Sequence, residues 1–376
     1  MAWVERHRSA FRVRLRLPDG TVITDSLHEA KPAAQLRAKE IDVDMARDAF
    51  IDPRDGKISL GEWVEIWAAT HQAAPTTWAA YRSHLRIHIL PRLGHLQLVA
   101  IRRQHVKALV VELRKTLAAR SAADVVMVLS MVLQEAVEDR RIPFNPCRGV
   151  RVANPNRPER PHATTEQVAA IAARMRRPID ALMVITAAYT GMRWGELAGL
   201  DHDNIDLDRA TIYVHPEVGA LHEVGGKLFL GPPKTADSVR HIQLPPFLVD
   251  QLTRMLDAHD HPIVFPGARG SFQRRSNFNR RAWTPAVAGD PAAGIPPVLA
   301  GMHFHDLRHT HKTWLIEDGI PEIAQARRLG HRLGGVRGIY SHVTPAMQQR
   351  LTQALQRRWE SVQSAPTEQG RPAAAA

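Results

Sequence analysis

Strict alternation marks the start of the chain. Phe11, Val13, Leu15 and Leu17 take every second position, with Arg12, Arg14 and Arg16 between them. That is the period of a strand with one apolar and one guanidinium face. "PDG" at 18–20 is a turn signal and "TVIT" can return as the partner strand. Residues 29–48 then carry helical spacing, so 1–56 predicts a sheet of two or three strands with one helix. "DPRDGK" (52–57) interrupts the pattern and marks a boundary. Beyond it, Ser59 and Glu62 form a capping-box signature ahead of Leu60, Trp63, Val64 and Trp67, spaced for one buried helix face. Helical periods recur at 76–90, 103–119 and 121–140, predicting a four-helix domain over 57–145. In the second helix Trp78, Tyr81 and Leu85 lie on one side, with Arg82 and Arg86 on another.

Periodicity fades in the Pro- and Arg-rich stretch around 146–163, which reads as an extended linker. From Thr164, "TTEQ" again caps a helix, and a larger region runs to residue 360 with a β-rich patch near 205–245. "PAVAGDPAAGIPPVLAG" (285–301) reads as a surface loop, and 361–376 has no apolar pattern and reads as a disordered tail. The expected fold is multidomain, mainly α with small β-sheets.

Composition adds a partner. The 376 residues exceed one small domain, and the 44% hydrophobic content supports real cores. Fifty Lys+Arg against 38 Asp+Glu give a formal +12, which suits a polyanion such as nucleic acid or simply a basic soluble protein. The arginine face of the first segment is then either a solvated edge or a ribbon for a DNA groove, and three arginines on one face favour the groove. Arg82, Arg86, Arg102, Arg103 and Lys107, with His84 and His88, extend the same bias. The single cysteine, Cys147, excludes an intramolecular disulfide and a cysteine-built metal site, and fits a reducing cytoplasm. The first ten residues lack the apolar core of a signal peptide, and the run around "ALMVITAAY" is far too short for a bilayer, so no membrane partner is expected.

Four stretches of the third region hold cations that packing does not require. In "YTGMRWGELAGL", Arg193 follows an apolar helix and precedes Glu196. The two form either a structural ion pair or a phosphate clamp in which Glu196 steadies the guanidinium. Lys234 sits between the strand-like "KLFL" and "RHIQL", as at a hairpin tip. "HFHDLRHTHKTWL" holds His303, His305, Arg308, His309 and His311. Its histidine density raises a metal site, but Asp306 and Leu307 follow His305 where a zincin pattern needs Glu, and Arg308 opposes a dication. "RLGHRLGGVRGIYSHV" (328–343) carries His331 and Tyr340. Two Arg, two His, a Lys and a Tyr suit metal-free nucleophilic attack on a phosphodiester. Guanidiniums hold the non-bridging oxygens, a phenol attacks, and Lys or His protonates the leaving hydroxyl.

In that order, these motifs resemble the tyrosine recombinases of the lambda-integrase type. "TGMRWGEL" is similar to the family's first-arginine box, "PPKTADSVRHIQLP" to its lysine hairpin, "HDLRH" to its His-x-x-Arg box, and "LGH" with "IYSHV" to its last histidine and tyrosine. The resemblance implies catalytic roles for Arg193, Lys234, His305, Arg308, His331 and Tyr340. It also implies an arm-type DNA-binding domain at 1–56, a core-binding domain at 57–145 and a catalytic domain at 164–360. "RLGGVRG" departs from the family's Ser/Thr-rich helix start, and its glycines imply a mobile nucleophile segment.

The implied reaction is attack of Tyr340 on a scissile phosphate, giving a 3′-phosphotyrosyl link and a free 5′-hydroxyl, with no cofactor and no metal. Arg193 and Arg308 would stabilise the transition state. Lys234 would protonate the leaving group, with His305 as acid/base partner and His331 as phosphate donor. The implied partners are double-stranded DNA attachment sites and a homotetramer on DNA, with a DNA-bending or directionality factor as a further partner. Leu351, Leu355 and Trp359 of the last helix would dock on a neighbouring protomer. The leading function is integration and excision of a phage or mobile element. A chromosome- or plasmid-resolving recombinase, a non-catalytic DNA-binding regulator and a histidine-rich metallohydrolase are the alternatives.

Overall fold

In the computed structural model, which describes residues 1–17, 19–47, 49–52, 54–153, 160–259, 261–333 and 342–364, the alternating segment becomes the middle strand of an antiparallel sheet. Strands β1 (Ala2–His7), β2 (Ala10–Arg16) and β3 (Val22–His28) lie in that order. Val13 and Leu15 are fully buried with Ala34, Ala38 and Ile41 of helix α1 (Lys31–Ala46), so the helix covers the apolar face. The arginines take the other face, as the period of two requires. Glu5 on β1 stands opposite Arg12, accepts from Arg12 Nε at 2.7 Å, and lies 3.5 Å from Arg14 Nη1. Arg16 is exposed.

The capping box forms: Ser59 N donates to Glu62 Oε2 at 2.9 Å and Glu62 N to Ser59 Oγ at 3.2 Å. It starts α2 (Leu60–Thr70), followed by α3 (Pro75–His84), a π-helical turn (Leu85–Ile89), α4 (Leu90–Leu93), α5 (Arg103–Thr116) and α6 (Ala119–Glu138). Helix α6 forms the centre of this cluster, with Val125, Val128, Leu129, Val132 and Leu133 fully buried. The Trp63 indole donates to Val132 O at 2.9 Å.

The chain divides into two compact units, Met1–Arg157 and Pro158–Ala376. The stretch 146–163 is not an extended linker throughout. Cys147 is buried in the helical core with Val150 and Val152 against it. In the second unit Ala163 is buried, donates to Thr310 Oγ1 and accepts from the Trp314 indole, both at 3.0 Å. A few apolar side chains among prolines find these surfaces without any period to announce them.

The second unit begins with α7 (Thr165–Ala173), α8 (Pro178–Thr190) and α9 (Trp194–Ala198). Strands β4 (Ile205–Asp206), β5 (Thr211–Val214), β6 (Ala220–Val224), β7 (Lys227–Gly231) and β8 (Arg240–Gln243) follow. Here β6 pairs with β7, whereas β8 pairs with β5 in the sheet β4-β5-β8. Lys234 therefore lies on a crossover between two sheets, not at a hairpin tip, because "KLFL" and "RHIQL" pair with other strands.

Helices α10 (Pro246–Leu256), α11 (Arg275–Phe278), a π-helical turn (Asn279–Trp283) and α12 (Thr284–Ala288) come next. The expected loop at 285–301 thus begins as helix, held by buried Ala286 and Val287. Helices α13 (Asp306–Glu317), α14 (Glu322–Leu329) and α15 (Pro345–Ser364) complete the unit. Leu351, Leu355 and Trp359 are not held out for a neighbour: Leu351 and Leu355 are buried in the unit's own core, and Trp359 stacks on Phe247 at 4.4 Å. Helix α15 also runs through 361–364, beyond the expected start of the tail. The Ser361 and Ser364 hydroxyls bond back to the preceding turn, and no proline intervenes before Pro366. No described helix is long and apolar enough to cross a membrane.

Candidate active site

The site is assembled from chain ends of buried elements. Helix α8 stops at Gly191, whose φ of +67° suits glycine, and a Cβ there would meet His311 and Leu329 at 2.7 Å. This tight stop delivers Arg193 to the start of α9. Glu196, at the third helical position, reaches back to accept from Arg193 N (2.9 Å) and Arg193 Nη1 (2.9 Å). Arg193 Nη1 also donates to Ser238 Oγ at 2.8 Å. The ion-pair reading of this arginine therefore holds, and among the described residues its Nε and Nη2 have no protein partner. Burial alone would raise the Glu196 carboxyl, but Arg240 and Arg193 outweigh it and hold it below the usual carboxylate range.

Arg308 lies in the first turns of α13, and His305 immediately precedes that helix. Arg308 is almost wholly buried; its Nη1 donates to Gly191 O at 2.6 Å, and its Nη2 donates to Leu329 O and lies 2.8 Å from His331 Nε2. Burial, and then Arg193 and Arg240, push its pKa down to about 9, so it remains a cation at neutral pH. His331 follows Gly330, the left-handed end of α14, where a Cβ would meet Asp237 O at 2.9 Å. The rings of His305 and His331 open onto the cleft, yet each is pushed down to about 4. Desolvation of the packed side is the first cause, and Arg308 the next. Both are therefore neutral near pH 7.

Arg193, Lys234, His305, Arg308 and His331 line one cleft of about 790 Å³, with Trp194, Gln273 and Arg275 also on its wall. Lys234 is exposed there. The structure thus brings together five of the six expected residues. The sixth, Tyr340, lies outside the described residues, as does the glycine-rich segment before it.

Comparison with known proteins covers the same part of the chain. A family description, "Phage integrase family", matches residues 162–347, and "Phage integrase, N-terminal SAM-like domain" matches 59–114. The prophage phiRv2 integrase of Mycobacterium tuberculosis is 29% identical over 343 residues, covering 86% of either chain. The chain belongs to the phage integrase family. This integrase is accordingly a tyrosine-type site-specific recombinase. In fold it is similar to the Tn1549 transposon integrase in complex with transposon right-end DNA (TM-score 0.63, 17% identity, 77% of this chain and 97% of that one). It is also similar to the lambda integrase tetramer bound to a Holliday junction (TM-score 0.56, 16% identity, 91% and 98%).

The expected DNA-binding residues of this integrase divide by their neighbours. Arg16, Arg86, Arg102 and Lys107 are exposed, and Arg82 is exposed while lying 5.5 Å over the Trp78 ring. Arg12 and Arg14 share Glu5, and Arg103 donates to the carbonyls of Arg148 and Gly149 at 2.5 and 2.9 Å. Sequence reasoning missed Arg275 on the cleft wall and the buried Arg240 and Arg328. "QRRSNFNRR" was the available signal for Arg275, a stretch with four arginines in nine residues. His311, counted among the candidate metal ligands, is fully buried; its Nδ1 lies 2.8 Å from Ala188 O and its Nε2 accepts from Arg328 Nε at 2.9 Å.

Proposed function

We propose that this integrase cuts and rejoins double-stranded DNA at attachment sites through a 3′-phosphotyrosyl link on Tyr340, integrating and excising a phage or mobile element. The observation that carries the reading is the convergence of two arginines, two histidines and a lysine on one cleft, with Arg193 held by the buried Glu196 and Arg308 beside His331.

Arg193 and Arg308 hold the non-bridging oxygens and neutralise the charge that grows in the five-coordinate transition state. The Tyr340 Oη–P bond forms as the bond from phosphorus to the 5′-oxygen breaks. The phenolic proton passes to His305, which is neutral in the free protein and so able to accept it. Lys234, on its exposed crossover, supplies the proton to the leaving 5′-oxygen. The Arg308 guanidinium is always a donor, so His331 Nε2 is the acceptor in their contact and its proton resides on Nδ1. That N–H is the donor offered to the phosphate. Reversal of these steps with a new 5′-hydroxyl rejoins the strand and conserves the phosphodiester.

Residues 1–56 serve as an arm-type DNA-binding domain, 57–145 as the core-binding domain and 164–360 as the catalytic domain. Arg12, Arg14, Arg16, Arg82, Arg86, Arg102, Arg103 and Lys107 serve as phosphate or groove contacts. Four protomers exchange strands on two DNA sites in the cytoplasm, with a DNA-bending or directionality factor setting direction. The test is a nicked suicide duplex carrying the element's junction sequence. The wild-type chain should form a covalent protein–DNA adduct in EDTA, and Tyr340→Phe should form none. An adduct with Tyr340→Phe removes Tyr340 as nucleophile.

A further inference from the structure

We infer that Arg240 is a positioning residue of this site, acting through Glu196 on Arg193. The inference rests on the recombinase reading above and goes beyond the residues that touch DNA in it.

Arg240 on β8 is 1% exposed and does not line the cleft. Its Nη1 and Nη2 reach Glu196 Oε1 and Oε2 at 3.2 and 3.0 Å, a bidentate pair. Glu196 Oε1 also accepts from Arg193 Nη1, and Oε2 from Arg193 N. A carboxylate has about four acceptor positions, so Arg240 and Arg193 fill them together. Arg193 alone would leave half of a buried carboxylate unpaired and free to turn. With Arg240 in place the carboxylate plane is fixed, and with it the direction of the Arg193 guanidinium.

The remaining donors of Arg240 widen its reach. Nε donates to Arg328 O on α14 at 2.6 Å, two residues before Gly330 and three before His331. Nη1 donates to Ser238 O at 2.7 Å. Ser238 Oγ in turn accepts from Arg193 and lies 2.9 Å from Thr235 Oγ1, next to Lys234. One buried guanidinium therefore ties together the segments bearing Arg193, Lys234 and His331. Buried ion pairs of this kind add little net stability over apolar packing; what this one supplies is direction.

The experiment uses the full chain with Arg240→Lys and Arg240→Gln on the nicked suicide duplex at saturating protein. Arg240→Lys keeps a charge but cannot bridge both carboxylate oxygens and two carbonyls. Both variants should bind the duplex with unchanged Kd and form adduct at least about 10-fold more slowly, an indirect share of what a lost transition-state donor costs. The double variant Glu196→Gln/Arg240→Lys should be no slower than the slower single variant, because the two act as one unit. A duplex with a methylphosphonate at the scissile position lacks one charged oxygen, so on it the deficit should shrink. Rates equal to wild type overturn the inference, as does a deficit that is additive with Glu196→Gln and unchanged on the methylphosphonate. Loss of cooperative unfolding in both variants would make Arg240 a residue of the fold and also overturn it. If the wild-type chain itself forms no adduct, the recombinase reading fails, which is a separate result.

Discussion

Arg308 Nη2 and His331 Nε2 lie 2.8 Å apart, and an arginine that only donates settles which imidazole nitrogen carries the proton. In the DNA-free protein at pH 7, nitrogen NMR should find His331 neutral and protonated on Nδ1. A proton on Nε2 would contradict the role of His331 as an Nδ1–H donor to phosphate.

The two neutral histidines also set a pH dependence. His305 and His331 have folded pKa values near 4 against an ordinary 6.5. Between those values the unfolded chain binds more protons, so the stability of the DNA-free protein should fall as pH drops from 6.5 towards 4. His305→Gln/His331→Gln should reduce that slope, and the buried His311, also held well below its ordinary value, keeps part of it. A bound phosphate raises both pKa values, so DNA binding should take up protons in the same window. Calorimetry in buffers of different ionisation enthalpy measures the uptake, and no uptake would count against phosphate beside these rings.

Lys234 is assigned to the leaving group, which makes its loss repairable by chemistry. Lys234→Ala should bind DNA normally and form adduct about 10²-fold or more slowly, within the usual worth of a general acid. A 5′-bridging phosphorothioate supplies a leaving sulfur that needs no proton, and on it the variant should recover. A deficit that persists there would move Lys234 to another role.

Arg275 stands on the cleft wall, with no ion-pair partner among the described residues, whereas neighbouring Arg274 is tied to Glu223 at 2.9 Å. Arg275→Ala should lower the slope of log K against log salt by about 0.9, the loss of one phosphate contact. Arg274→Ala, which loses a protein partner, should change the slope less. An unaltered slope for Arg275→Ala would take it off the DNA.

Helix α15 is docked on its own unit, so its core residues matter without DNA or neighbours. Leu355→Ala should destabilise the DNA-free chain by about 2–5 kcal/mol, the cost of a buried leucine cavity, at protein concentrations too low for association. A change seen only in the assembled complex would restore the neighbour-docking expectation.

What the sequence disclosed was local. Arg193 with Glu196, and His305 with Arg308, stand three residues apart, and Ser59–Glu62 and Thr164–Gln167 cap helices over the same spacing. Each pair is legible because the helix brings positions i and i+3 together. Arg240 and Glu196 are 44 residues apart, and Arg328 meets Tyr189 O across 139. No period relates such positions, so the buried guanidinium network behind the cleft was invisible. Strand pairing failed for the same reason: "KLFL" and "RHIQL" both read as strands, but their partners are set by packing that a local pattern does not encode. The last helix was legible as amphipathic, and what its apolar face covers was not.

The most direct measurement is the identity of the residue left holding DNA. Adduct formed on the nicked duplex in EDTA should be digested with nuclease and protease, and the nucleotide-bearing peptide sequenced by mass spectrometry. A 3′-phosphonucleotide is expected on Tyr340 alone; the same mass on any other residue, or none in a chain that cleaves DNA, would rule out Tyr340 as the nucleophile.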